Sequence, residues 1–487
     1  MVRNPIVARF CGLPSLIQAR FRPKRPDLHT AWAHPEQLPD FVTECPPAMR
    51  ILDLIGSIPW GQFPERNLHR NWGQVTIPHA AFSAACLVKL NEGLVSMADV
   101  CQYLIEHPAF IWLLGFPLVP SFKHACGFDP SASLPTQRHL TQMLRSIPNP
   151  SLQFLLDQSV QLLLREFHVK GLANVGECIS LDTKHILAWV KENNPKAYTE
   201  NRFDKTRQPK GDPDCKLGCK RRHNRQILPA ESTTPANNPI PASQIAVGEY
   251  YWGYGSGVIA VKVPEWGEFV LAEMTQTFDK ADVSYFFPLM RQVEQRLSFR
   301  PRFGTFDAAF DAFYVYDYFH RDDDPVAFAA VPFSEKGGYK AGGRKFSPEG
   351  LPLCAAELSM PLQFTYTDRT VTIIEHERGK YICPLRSSAH NCPVNHERWD
   401  KGGCTATMPI SIGARLRYTL DRESQAYKDI YKQRTATERI NSQAVDLGIE
   451  RPHIRNGKAI ANINTLIYTL VNLRLLARVR QRQQENN

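Results

Sequence analysis

At about Gly171 the apolar pattern of this chain changes period, and that change restricts what it can fold into. Before it, Leu152, Leu155, Leu156, Val160, Leu163 and Phe167 recur at helical spacing, the clearest part of a helical pattern covering about 77–167. After it, Ile179 and Leu181 alternate with Ser180 and Asp182, as in a half-buried strand that turns Asp182 to its polar side. Stretches 250–262 and 268–274 read as paired strands joined near Pro264 and Gly267, a helix follows over about 280–297, and a fourth strand ends at Asp307. The order predicts an α/β fold: a mixed sheet preceded by an all-α region, with acids ending its first and fourth strands.

A chain of 487 residues exceeds one compact core. The texture divides it into a basic, Pro-rich leader at 1–72, a helical domain at 73–172, and an α/β core at 173–336 and 412–487. A cysteine-containing β insertion at 337–411 interrupts the core. In the leader, Arg20, Arg22, Lys24 and Arg25 form a basic cluster, read as a loosely structured arm on DNA or a solvated tail. In the insertion, 364–367 and 370–374 predict a hairpin turning at Asp368 and Arg369. Near the C-terminus, Ile463, Leu466, Ile467, Leu470 and Ala477 form a buried stripe, and Arg474, Arg478, Arg480 and Arg482 crowd the helix end.

The 58 basic against 48 acidic side chains give a formal charge of +10, which favours a polyanionic partner. The run 109–120, taken as the most apolar, contains Gly115 and Pro117 and falls short of the roughly 18 residues a membrane span needs. Arg3, Asn4 and Arg9 break any signal-peptide core, so a cytoplasmic protein without a membrane partner is expected. Twelve dispersed cysteines suit reduced thiols better than a disulfide framework. Two basic segments suit DNA phosphates. One holds Lys216, Lys220, Arg221 and Arg222 ahead of a Pro-rich loop; the other, at 136–145, is a short helix carrying Arg138, His139 and Arg145 that would enter a major groove, lie along phosphates or simply face solvent.

Chemistry is carried by three separated acids. Tyr431, Arg434 and Glu438, at spacings of three and four, share one stripe of a helix, so a ring, a guanidinium and a carboxylate look out together. Taken alone, Arg434 and Glu438 would equally be a solvated ion pair. Asp182 and Asp307 each close an apolar run, and carboxylates brought together from different elements are what a two-metal phosphoryl-transfer site requires. Asp311 reads as a residue preceding the next helix.

The order Ile-Ser-Leu-Asp182, then Gly304-Thr-Phe-Asp307-Ala-Ala-Phe-Asp311, then Tyr431-x2-Arg434-x3-Glu438 resembles the DDE transposases of bacterial insertion sequences, in the group with a Tyr, Arg, Glu signature. The similarity spans roughly 175–480 and takes in Asp212-Pro-Asp214 and Tyr-Trp252-Gly-Tyr254. It implies a ribonuclease-H-like catalytic core with a β-rich insertion between Asp307 and Glu438. It also implies cutting at the ends of a DNA element and joining of the freed 3′ hydroxyl to target DNA. Two magnesium or manganese ions would be held by Asp182, Asp307 and Glu438. Arg434 would contact a terminal phosphate, and Tyr431 would stack on a base or support the strand end. Double-stranded DNA is the implied partner, bound by a homodimer because two ends must meet. Val445 stands where the signature carries a basic residue, with Arg439 or Arg451 as substitutes. Rival readings are a nuclease of the same fold that cuts without joining, and a DNA-binding protein without catalysis. Cys354, Cys383, Cys392 and Cys404, with His390 and His396 nearby, offer a structural zinc site or ordinary thiols.

Overall fold

The computed structural model describes residues 25–68, 76–220, 249–334, 345–369, 375–387, 391–394 and 399–486. The first elements among the described residues are helices: α1 (Leu28–Ala33), α2 (Asp40–Thr43), α3 (Pro46–Ile55), α4 (His79–Asn91), α5 (Met97–Glu106), α6 (Pro108–Leu113), α7 (Pro130–Ser133), α8 (Gln137–Ser146) and α9 (Asn149–Val169). The expected leader is not a loose arm from residue 25 onward. In α3, Ala48, Ile51, Leu52 and Ile55 recur at helical spacing and are all buried, as are Ile58, Trp60 and Phe63 beyond it. The Arg25 guanidinium donates to the carbonyls of Trp112 and Phe116 at 2.9 and 2.6 Å, so it ties the chain down; Arg20, Arg22 and Lys24 lie outside the described residues. Along α9, all six residues of the predicted stripe are buried.

The sheet contains β1 (Cys178–Leu187), β2 (Lys216–Lys220), β3 (Glu249–Val263), β4 (Gly267–Thr277), β5 (Phe303–Thr305) and β6 (Phe328–Ala330). Its order is β2-β3-β1-β5-β6, with β4 also paired to β3. β3 runs antiparallel to β1, β2 and β4, whereas β5 joins β1 in parallel and β6 joins β5 in parallel. Before β5 comes α10 (Phe286–Leu297), and α11 (Phe313–Phe319) lies between β5 and β6. Tyr285 and Leu289 press against β3 at Gly257, where a Cβ would stand 2.3 Å from the Tyr285 ring; glycine is what admits this contact.

Beyond β6, the insertion pairs β7 (Leu362–Asp368), β8 (His376–Ile382) and β9 (Thr405–Pro409) in an antiparallel sheet, with α12 (Pro384–Ser387) after β8. The hairpin is displaced from its expected place. Asp368 pairs with His376, so the connection spans 369–375 rather than turning at Asp368 and Arg369, and 370–374 lies outside the described residues. Cys354, Met360, Tyr381, Ala406 and Met408 form a small core separate from the main one, which runs continuously through helices and large sheet.

The chain ends with α13 (Ile412–Thr419), α14 (Gln425–Tyr431), a tight turn at Lys432–Arg434, α15 (Thr435–Asp446) and α16 (Gly457–Asn486). α16 is buried on all sides from Asn462 to Leu473, so its burial is wider than the expected stripe, and Ala477 is exposed. Its asparagines make that burial possible: Asn472 donates to Val270 O at 2.9 Å and accepts from Val270 N at 2.7 Å. Among the described residues this is the one helix long and apolar enough to cross a membrane, and 89% of its apolar window is buried within the protein. The run 109–120, expected to be the most apolar, is thus not the stretch that meets the length test of a membrane span. Three of the four terminal arginines are engaged: Arg474 with Asn91 at 3.0 Å, Arg480 with Glu166 at 2.8 Å and Arg482 with Glu265 O at 3.0 Å.

Candidate active site

Strand register decides which acids can meet. In the parallel pair of β1 and β5, Ser180 lies opposite Thr305, and Asp182 and Asp307 each follow two residues later. Asp307 stands beyond the end of β5, as expected. Asp182 does not end its strand, because β1 continues to Leu187 against β3; it lies just past the short stretch that β5 covers. Alternation puts Ser180 and Asp182 on the sheet face under α15. There Ser180 Oγ meets Thr437 Oγ1 at 2.8 Å, Asn441 Nδ2 donates to Asp182 Oδ2 at 3.1 Å, and Thr305 Oγ1 donates to Tyr431 O at 3.5 Å. Small hydroxyls on both strands thus seat the C-terminal helical segment across the acids.

That segment is not one uninterrupted α-helix. A tight turn at Lys432–Arg434 separates α14 from α15, yet the three signature side chains remain neighbours. The Arg434 guanidinium pairs with the Glu438 carboxylate and stands 6.0 Å from the centre of the Tyr431 ring. Tyr427 stacks on Tyr431 at 5.8 Å and 11°.

Electrostatics tie the acids together. Asp182 keeps some accessible area but is surrounded densely enough that desolvation pushes its carboxyl up to about 6; the neighbouring Asp307 and Asp282 add to the rise, and Arg434 and the Thr183 amide oppose it. Tyr431 is also raised, first by burial and then by Asp307 and Glu438, with Arg434 opposing. Both acids therefore act on one ring. Asp307 Oδ1 also accepts from Ala309 N at 2.8 Å. Among the described residues, no group of three or more His, Cys, Asp or Glu side chains stands ready to hold a metal ion, here or in the insertion.

Other expected residues fall elsewhere. Lys216 and Lys220 are exposed on β2, which pairs with β3 no nearer than Gly253, five positions from the Val258 opposite Asp182, or roughly 16 Å along the strand. Lys216 donates to Gln208 at 3.3 Å, while Arg221 and Arg222 lie outside the described residues. Asp311 does precede α11, but it is a structural anchor: buried, it grips Arg417 at 3.0 and 2.7 Å and accepts from Tyr316 and Ser334. Arg439 pairs with Glu268 at 2.6 Å, and Val445 is exposed near the end of α15. Asp212 is buried against the Tyr254 hydroxyl at 2.9 Å, and Asp214 caps α16 through Gly457 N at 2.9 Å, so both serve the fold. Cys354 and Cys383 are buried, Cys404 Sγ accepts from Ala355 N at 3.5 Å, and His390 and His396 lie outside the described residues. The sequence reading missed Asn441, whose signal was its place three residues after Glu438, one turn along the same face. It also missed Asp282, which accepts from Thr183 at 2.9 Å and which only tertiary folding brings near.

A scan of protein-family models gives no match to the chain, and no curated protein matches it.

Proposed function

We propose that the protein is a DDE-type transposase that cuts the ends of a DNA element and joins them to target DNA. The observation that carries the reading is the placement of Asp182 and Asp307 two residues past a matched Ser180 and Thr305, with Asp307 raising the energy of the Asp182 charge, under the segment bearing Tyr431, Arg434 and Glu438. The sheet order, three antiparallel neighbours followed by two parallel strands added beyond β1, supports a ribonuclease-H-like core.

The residues fit divalent metal in chemistry: an all-oxygen set of Asp182, Asp307 and Glu438, beside an Asn441 Oδ1 that is buried without a partner. Two such ions would activate the attacking oxygen and stabilise the leaving one. Glu438 is held by Arg434 in a half-exposed pair of the kind worth about 0.3–0.5 kcal/mol, so its carboxylate is readily released. Arg434, freed in turn, would meet a backbone phosphate. Tyr431 has Tyr427 on one side and Arg434 near its ring, so it supports a strand end through its protonated hydroxyl in preference to stacking. Neighbouring carboxylates would repel DNA without neutralisation, and the chain's excess of 58 basic over 48 acidic groups favours approach of the polyanion.

The test is strand cleavage of duplex DNA by purified protein with magnesium. Asp182→Ala and Asp307→Ala should each lower the rate about a thousandfold or more while salt-sensitive DNA binding persists. Cleavage that survives Asp307→Ala sinks the reading. Transfer of a pre-cleaved 3′ end into target DNA separates a transposase from a nuclease.

A further inference from the structure

Helix α8 has the two-sided character of a reading element. Leu140, Met143 and Leu144 are buried, whereas Gln137, Arg138, Thr141, Gln142 and Arg145 are exposed along the opposite side over two turns. The helix carries no acidic residue, and among the described residues neither the Arg138 nor the Arg145 guanidinium has a carboxylate partner. His139, at the border, stacks on Phe82 at 5.5 Å, and Arg66 adds positive potential beside it. The helix is also firmly seated. Asn462 Nδ2 donates to Leu144 O at 2.7 Å and to Ile147 O at 2.9 Å, fixing the end of α8 to α16, whose Thr465 in turn bonds Glu273 on β4.

We infer that α8 lies in the major groove of duplex DNA and reads base edges through Arg138, Gln142 and Arg145, with Gln137 and Thr141 beside them. This deepens the transposase reading and rests on it for the kind of DNA involved. The occupant follows from charge and chemistry. An unpaired guanidinium suits bidentate contact with guanine and a glutamine with adenine, and a ten-residue helix, about 10–12 Å across with its side chains, fits a groove about 12 Å wide. An acidic protein surface would need the two cations but not Gln142 between them or Gln137 before them. Attachment to α16 couples the reading helix rigidly to the sheet that carries the acids.

The experiment is selection of bound duplexes from a random pool by the full chain carrying Asp182→Ala, followed by affinity measurements over a range of salt. A consensus is expected. Arg138→Lys, Arg145→Lys and Gln142→Ala should each relax one base position by about ten- to a hundredfold, with the lysine variants keeping the salt dependence. Equal weakening on all duplexes, no effect of the three changes, or no consensus at all would overturn the inference. Because binding is read on a cleavage-deficient chain, the two readings fail separately. A consensus read by α8 without metal-dependent cleavage by the natural chain sinks the transposase and supports α8 as a DNA reader; cleavage with an α8-independent consensus does the reverse.

Discussion

Asp182→Asn should make the protein more stable while disabling it. A carboxyl that titrates at about 6 in the folded chain, against 3.8 when unfolded, binds more protons folded than unfolded across that window. Stability is therefore lost as pH rises through it, by about 1 kcal/mol near pH 4.5 and about 3 kcal/mol near pH 7.5. The amide removes this charge and still offers an oxygen to Asn441, so the 3.1 Å hydrogen bond is kept. Residual accessibility of the site lets water screen part of the effect, which puts the gain at about 2–3 kcal/mol near pH 7.5. Urea unfolding in chelator, followed by tryptophan fluorescence, measures it. Added magnesium should stabilise the natural chain and not the variant, since an ion that binds only the folded state adds to its stability. A variant less stable than the natural chain near neutrality would refute the reasoning, as would a gain that does not shrink towards low pH.

Two further outcomes follow from packing. Leu163→Ala should lower stability by about 2–5 kcal/mol, because this fully buried side chain of α9 fills the core shared with α16 and the cavity cannot close; calorimetry reads it. Asp311→Ala should lower it by about 3–5 kcal/mol by leaving the Arg417 guanidinium unpaired beneath α13, whereas Asp311→Ala with Arg417→Met should recover much of the loss. A single Asp311 variant as stable as the natural chain would mean that this tie is dispensable.

Much of the architecture was legible as periodicity. The α9 stripe, the paired β3 and β4 and the position of Asp307 after β5 all follow from side chains that must face a core at a spacing of 3.6 or 2. The same rule would have found α3, where Ala48, Ile51, Leu52 and Ile55 are spaced for a helix, but the prolines and arginines around it hid the pattern. α16 was legible only in part, because a helix surrounded by protein has no polar face to set a period; its buried asparagines belong to bonds with other segments.

The sequence alone determined which residue types were available for chemistry and which faces were apolar, since both are local properties. It did not determine that β1 continues past Asp182, that Asn441 bonds that carboxyl, or that Lys216 and Lys220 stand well along β3 from it. Those outcomes depend on register between strands far apart in the chain and on helices laid across them. A carboxyl's charge state is likewise set by what folding brings around it, which no reading of its neighbours in sequence supplies.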